Sequence, residues 1–466
     1  MALHGKQEEK RRRPIVPATK PMFARAGCAG DLPHVELPMH SIEPETAAQM
    51  ISDELMLDGN ARLNLATFVS TWMEPQAHQL MSMTFDKNMI DKDEYPRTAD
   101  IEMRCVNIIS RLWNSPDEEQ ATGCSTTGSS EAAMLAGMAL KWRWRDRMRA
   151  QGKPTDRPNM VMGANVQVCW EKFARYWDVE ARLVPMEGER YNLTGDVVVD
   201  YCDENTIGVV AVLGSTFDGS YEPVQDICDR LDQLQADTGL DVPVHVDGAS
   251  GGFIAPFLDP ELVWDFRLPR VQSINASGHK YGLVYPGVGW AIWRNPEALP
   301  DDLVFHVNYL GGDMPTFALN FSRPGNHVVA QYYNFVRLGF DGYRAVQQAA
   351  RDVAMHVANE VGRMDAFRLL TDGSQLPVFA FTIADGVDGF TVFDVSRVLR
   401  EKGWLVPAYS FPENRQDLAA LRVVVRNGFD RDLADLLITD IGGAADYLSR
   451  LDAPLPPDPS PHNFHH

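Results

Sequence analysis

The chain is poor in positive charge. Its 466 residues carry 43 lysines and arginines against 64 aspartates and glutamates, a formal net charge of −21. A surface this acidic repels phosphate backbones and disfavours nucleic acid as a partner. It does not disfavour a small anionic substrate, which needs only a local cation. Cysteine is also scarce. The six residues (Cys28, Cys105, Cys124, Cys169, Cys202 and Cys228) form no CxxC pair, and no His/Cys spacing resembles a zinc site. Scattered thiols of this kind are expected to be buried and reduced in a cytoplasmic protein. No apolar run approaches the roughly 20 residues that span a bilayer, so no stable membrane insertion is expected. The basic cluster Lys10-Arg11-Arg12-Arg13 runs into Pro14, Pro17 and Pro21 rather than into the apolar core of a secretory leader. It reads as a solvated tail. There is no GxxxxGK[ST] loop, no G-x-G-x-x-G after a strand and no internal repeat.

Alternating short apolar and longer amphipathic segments are present instead. Asn159–Met162, Ile207–Leu213, Val242–Val246, Val271–Ile274 and Gly289–Trp293 read as strands. Ser130–Gln151, Val166–Trp177, Tyr221–Ala236 and His327–Phe340 read as helices. Continuous β-branched runs separated by helices predict an α/β fold with a mostly parallel sheet covered on both faces. Function in such sheets gathers at the carboxyl ends of strands. A helix at Tyr343–Arg363, a strand at Val378–Ile383, a helix at Val392–Lys402, a strand at Leu421–Val425 and a helix at Asp430–Arg450 predict a smaller α+β unit. The expected division is an N-terminal segment 1–61, a large domain 62–350 and a small domain 351–466 with an irregular tail.

Three stretches stand out chemically. In Ser273-Ile274-Asn275-Ala276-Ser277-Gly278-His279-Lys280 an apolar strand ends on a lysine. Desolvation there would lower its pKa, and a neutral amine attacks carbonyls. In His245-Val246-Asp247-Gly248-Ala249-Ser250-Gly251-Gly252 an aspartate ends a strand beside small residues that permit close approach. Such a carboxylate can hold a cationic ring nitrogen. A metal reading of His245 with Asp247 lacks a third ligand, and no metal is expected. Thr126-Thr127-Gly128-Ser129-Ser130-Glu131 precedes a helix and offers an anion cradle. Taken singly, each has a plain alternative: a surface lysine, a turn aspartate, a helix cap. Together, and in this order, they suit pyridoxal 5'-phosphate: cradle for phosphate, Asp247 for the pyridine nitrogen, Lys280 for the aldehyde.

The chain also resembles the bacterial-type glutamate decarboxylases, within the group II pyridoxal-phosphate-dependent decarboxylases. The resemblance runs from about Thr46 to Tyr447. It is carried by Leu57-Asp58-Gly59-Asn60-Ala61-Arg62, Asn64-Leu65-Ala66-Thr67-Phe68, Lys92-Asp93-Glu94-Tyr95-Pro96, Lys141-Trp142-Arg143-Trp144-Arg145, Phe173-Ala174-Arg175-Tyr176-Trp177, Trp264-Asp265-Phe266-Arg267-Leu268-Pro269-Arg270 and Ser277-Gly278-His279-Lys280. It implies a fold of the aspartate aminotransferase-like type I class and α-decarboxylation of L-glutamate to 4-aminobutyrate, with a proton consumed in acid tolerance. By position, Lys280 would bind the cofactor covalently and Asp247 would pair with its ring nitrogen. Ser129, Ser130, Ser277 and His279 would hold the phosphate, with His279 also counted as catalytic. Gln167 would pack on the ring and Thr216 would lie near its hydroxyl. Phe321 and Ser322 would be lent to a neighbouring subunit's site, implying a dimer or a hexamer built from dimers. Thr67, Phe68, Asn88 and Asp91 match positions around the distal carboxylate of glutamate, and Arg422 the grip on the α-carboxylate. For Arg422 the plain alternative is a surface charge on an edge strand.

The sequence also admits other readings. The same cofactor serves decarboxylation of other amino acids and lyase reactions, and an old enzyme fold can persist as a non-catalytic homologue. Lys141–Arg145 reads as cation–π packing at a subunit interface rather than a nucleic-acid platform. The chain ends in Asn463-Phe464-His465-His466, and by resemblance His466, with His465 beside it, would enter and block the site near neutral pH. A tail without that role is the alternative.

Overall fold

The computed structural model describes residues 32–116, 121–308, 314–451 and 455–456. The expectations for Lys10–Arg13, Cys28, His465 and His466 fall outside the described residues. The chain divides into two compact units, Met1–Asn60 and Ala61–His466. In the first, Pro44–Leu55 is helical. Proline opens it, where a missing N–H costs nothing, and none of its residues is buried.

The second unit is built on a seven-stranded sheet. Its members are β1 (Thr122–Thr126), β2 (Asn159–Gly163), β3 (Glu180–Val184), β4 (Thr206–Val212), β5 (Val244–Asp247), β6 (Val271–Ala276) and β7 (Gly289–Trp293), in the order β1-β7-β6-β5-β4-β2-β3. From β3 across to β6 every pair is parallel, whereas β7 runs antiparallel to both β6 and β1. Burial on both faces follows from the apolar runs. Met160 and Met162 pack into one core with the helices Ser129–Ala150 and Val168–Tyr176. Val161, between them, packs into the opposite core with Pro96–Leu112 and Val224–Thr238. Ile207 and Val210 against Val209 and Ala211 repeat the division on β4. Each fully buried apolar side chain of this kind contributes about 1.5–3 kcal/mol.

A two-stranded ribbon, β8 (Phe305–Val307) and β9 (Met314–Thr316), follows. Then comes an antiparallel sheet of β10 (Phe367–Leu369), β11 (Val378–Ile383), β12 (Ala408–Ser410) and β13 (Ala419–Val424), in the order β10-β11-β13-β12. The helix Val392–Glu401 is fixed by a reciprocal Thr391/Asp394 capping box, and Arg431–Ser449 by the Asp430 cap. Both cover this sheet. Because β13 lies between β11 and β12, Arg422 is not on an edge, and the surface-charge alternative is excluded. The two helices expected at His327–Phe340 and Tyr343–Arg363 form one run, Asn326–Val361, broken at Gly339. Gly339 adopts φ +58°, which only glycine reaches without strain, so the chain kinks there and continues.

Candidate active site

The cradle forms where β1 turns into the helix Ser129–Ala150. No side chain caps that helix, and of its first turn only the Glu131 N–H is taken up, by the Gly128 carbonyl, so the Ser129 and Ser130 N–H groups remain available to an anion. Ser277 donates to the Ser129 hydroxyl at 2.7 Å, which binds the end of β6 to the cradle. Ser129 and Ser277 are buried, and Ser130 is exposed. A Cβ on Gly128 would lie 2.8 Å from Cε1 of His279, so glycine alone lets the imidazole close over this turn. Burial, then the neighbouring Lys280 charge, pushes His279 down to about 4. It therefore offers neutral-ring hydrogen bonding rather than a permanent charge.

Asp247 and Lys280 meet at the carboxyl ends of β5 and β6. The Asp247 carboxylate accepts from Trp170 Nε1 at 2.8 Å, from the Ala249 N–H at 3.0 Å and from Asn275 Nδ2 at 3.1 Å. The Lys280 side chain is half-buried, but its amine is enclosed, and burial pulls its pKa below the ordinary lysine value. The Asp247 charge acts in the opposite direction. The amine donates to Ser250 Oγ at 3.2 Å and stands 5.2 Å from the Phe68 ring.

Thr67 and Phe68 are brought to this lysine by the backbone. The Ser70 N–H donates to the His279 carbonyl at 2.8 Å, and its hydroxyl donates to the Lys280 carbonyl at 2.6 Å. Arg422 projects from β13 into the same space. Its guanidinium lies 4.9 Å from the Phe68 ring and 5.6 Å from Tyr409. It donates to the Ala66 carbonyl at 2.7 Å and to the Thr216 carbonyl, while its buried Nε has no partner. Phe68, Lys280, Arg422 and the Thr216 carbonyl are thus brought together. Gln167 caps the helix Val168–Tyr176 by accepting from the Cys169 N–H at 2.7 Å. Asn88 belongs to a second cluster: Nδ2 reaches Ser322 Oγ at 3.4 Å and Oδ1 accepts from the Arg323 N–H at 3.1 Å. Asp91 sits on the turn that follows, and Phe321 and Ser322 are exposed.

Residues 38–384 match the family model described as the pyridoxal-dependent decarboxylase conserved domain. The chain belongs to the pyridoxal-dependent decarboxylase family. Among relatives of this family, a glutamate decarboxylase of Aliivibrio fischeri is 56% identical over 92% of this chain and 93% of its own length. A glutamate decarboxylase of Petunia hybrida is 50% identical over 92% of this chain and 86% of its own. The solved Lactobacillus brevis glutamate decarboxylase superposes with a TM-score of 0.89 at 48% identity, covering 93% of this chain and 99% of that one. The mixed sheet with its smaller antiparallel companion is the expected type I architecture.

The family's cofactor, pyridoxal phosphate, fits the residues present. An uncapped helix start beside buried hydroxyls suits a phosphate, a buried carboxylate held only by neutral donors suits a ring nitrogen, and an enclosed amine of lowered pKa suits an aldehyde. Among the described residues no cluster could hold a metal ion, and no helix is long and apolar enough to cross a membrane. His245 and Asp247 are both committed to hydrogen bonds within the protein. Trp170, Ser250, Asn275 and Tyr409 also border this space, and no motif in the sequence marks them as site residues. A signal existed for Asn275: Ser273 and Asn275 on β6 pair with His245 and Asp247 on β5, both sets at a spacing of two, so four polar residues share one buried face. The Lys141–Arg145 stretch packs within the chain. Arg145 lies 4.5 Å from the Trp142 ring, and Trp144 Nε1 donates to the Glu204 carbonyl.

Proposed function

We propose that this chain catalyses the α-decarboxylation of L-glutamate to 4-aminobutyrate and CO2 with pyridoxal phosphate. The observation that carries the reading is the juxtaposition of the enclosed Lys280 amine, the Asp247 carboxylate and the inward Arg422 guanidinium at the carboxyl ends of β5 and β6. The chemistry supplied by the bound cofactor is an aldehyde for the substrate amine and an electron-withdrawing ring for the pair left by departing CO2. Asp247 would place negative charge against the ring nitrogen and favour its protonated form. Ser129, Ser277 and His279, with the helix N-terminus and Ser130, secure the phosphate. Arg422 grips the α-carboxylate, with its unpartnered Nε as a waiting donor, and the Phe68 and Tyr409 rings keep water off that contact. Lys280, held at neutral charge more easily than an exposed lysine, would be the amine that holds the cofactor's aldehyde. Each turnover breaks the bond from Cα to the carboxylate carbon and places one proton on Cα.

Thr67 and Phe68 would face the distal carboxylate together with Asn88 and Asp91, and exposed Phe321 and Ser322 would complete the site of a second copy, making the working unit a dimer or a trimer of dimers. The five described cysteines are free thiols, in keeping with a cytoplasmic enzyme. The test is an absorption spectrum of the purified protein with pyridoxal phosphate, borohydride fixation, peptide mapping to Lys280, and an assay for 4-aminobutyrate and CO2 over a panel of amino acids. Lys280→Ala should lower turnover by several orders of magnitude. Near-native turnover in that variant, or CO2 release from another amino acid and not from glutamate, overturns the proposal.

A further inference from the structure

Beneath Asp247 lies a chain of buried, uncharged groups that the proposed reaction does not use. Asn275 Nδ2 donates to Asp247 Oδ1 at 3.1 Å, Asn275 Oδ1 is 2.7 Å from His245 Nε2, and His245 Nδ1 is 2.8 Å from Ser273 Oγ. His245 and Asn275 are 0% exposed and Ser273 is 2% exposed, so no water takes over these bonds. For an uncharged imidazole only one assignment of protons satisfies all of them. Were the Asn275 amide turned over, its oxygen would face the Asp247 carboxylate with no proton between two acceptors. The charge on Asp247 therefore orients the amide, and the amide oxygen requires the proton of His245 on Nε2. Nδ1 is then bare and accepts from the Ser273 hydroxyl.

We propose that Ser273, His245 and Asn275 form a neutral hydrogen-bond relay whose task is to fix the rotamer of Asp247 while leaving its negative charge uncompensated for the cofactor's ring nitrogen. His245 and Asn275 are positioning residues, acting through Asp247. The inference rests on the reading of Asp247 as the partner of that nitrogen. Neutrality is the important property. An imidazolium this close would draw the carboxylate's charge to itself and weaken the hold on the ring proton. Burial, opposed by the Asn275 bond and the Asp247 charge, pushes the His245 pKa well below the ordinary histidine value and so favours the uncharged ring. Trp170 closes the remaining side. Its Nε1 donates to Asp247 Oδ2, and its ring packs 5.0 Å from that of His245. Thus Oδ1 and Oδ2 are both held by neutral N–H donors and the carboxylate cannot rotate, as positioning groups around a reacting centre require.

Two measurements test this. The first is the 15N shift pair of His245 in the full-length protein, assigned by comparison with His245→Gln, with and without cofactor. The expected result is the neutral Nε2–H tautomer in both states from about pH 5 to pH 8. An Nδ1–H tautomer or an imidazolium overturns the relay. The second is Asn275→Leu, which removes one of the two donors at Oδ1 and leaves the Ala249 N–H as the other. Losing one charge-assisted hydrogen bond should weaken pyridoxal phosphate binding about tenfold and shift the 15N signal of labelled bound cofactor toward the unprotonated ring. It should lower kcat and leave KM for glutamate unchanged, because Arg422 lies elsewhere. Unchanged cofactor affinity and ring shift in a folded variant also overturn the proposal. If Asn275→Leu does not fold, the His245 tautomer in the unaltered protein decides alone. A wild-type protein that binds no cofactor refutes the proposed function instead, an outcome distinct from either result on the relay.

Discussion

Arg323 offers a sharp perturbation, because it neutralises a carboxylate that has nowhere else to turn. Glu102 lies in the helix Pro96–Leu112 and is buried, and Arg323 Nη2 reaches its Oε1 at 3.0 Å with both side chains about 10% exposed or less. Ser125 completes the arrangement: its N–H donates to Glu102 Oε1 at 3.0 Å, and its hydroxyl donates to Glu102 while accepting from Arg323. Burial alone would raise the Glu102 pKa, but the Arg323 charge and the Ser125 bond outweigh it, so the net shift is downward. Arg323→Met keeps the volume and removes the charge, leaving a buried carboxylate without its cation. Breaking such a pair from one side costs about 3–5 kcal/mol, whereas Glu102→Gln combined with Arg323→Met should recover a large part of that loss. A carboxyl whose folded pKa is depressed stabilises above its ordinary value and loses that contribution as pH falls through the folded pKa. The single variant should therefore be least stable, relative to wild type, at neutral pH, with the gap narrowing toward acid. Urea denaturation of the four proteins of the cycle at pH 7 and pH 4.5 measures this. The effect should extend to function, since the Arg323 backbone N–H holds Asn88 and its carbonyl accepts from the Met89 N–H. An additive cycle, with the double variant as unstable as the sum of the singles, would falsify the account of a coupled buried pair.

Two further predictions concern groups nearer the site. Glu222 is buried and accepts from the Asn165 side chain and from the Leu193 and Val212 N–H groups, yet burial dominates and pushes it up to about 7. A carboxyl with a raised folded pKa stabilises fully below about pH 4.5 and loses that contribution as pH climbs through 7, a change of about 3 kcal/mol. Glu222→Gln suffers a constant penalty at the Val212 N–H but has no such slope, so comparing urea midpoints at pH 5 and pH 8 isolates the carboxyl, and parallel pH profiles in the two proteins would exclude it. Arg422→Lys should lower kcat/KM for glutamate by about ten- to a hundredfold with the cofactor spectrum intact, because an ammonium can neither stack between Phe68 and Tyr409 nor present a planar fork. An unaltered kcat/KM would remove Arg422 from substrate binding.

What could be read from the sequence follows a physical division. Strands β2, β4 and β7 are buried on both faces and largely apolar, and β5 and β6 alternate valine or isoleucine with polar residues, so their apolar content announces them, and Val378–Ile383 and Gly289–Trp293 fall where expected. β1 and β3 went unseen for opposite reasons. Thr122–Thr126 is assembled from small residues because the helix Pro96–Leu112 and β7 crowd it: a Cβ on Gly123 would meet Ile292 at 2.6 Å. Glu180–Val184 is an edge strand with a largely accessible surface, and its charges carry no apolar pattern. The site divides in the same way. Lys280, Asp247 and the cradle are local statements, each a strand end or helix start with its chemistry in adjacent residues. The Glu102–Arg323 pair spans 221 positions and the Lys280–Ser250 contact 30, and nothing in either partner's immediate neighbours signals the other. Only β5 and β6 offered a long-range clue, since a parallel pair places every second residue of both strands on one face. Reading His245 with Asp247 and Ser273 with Asn275 as two such doublets would have shown a polar row inside an apolar sheet. Buried polar atoms must be satisfied, so such a row requires a hydrogen-bonded chain ending on the one residue that can carry charge.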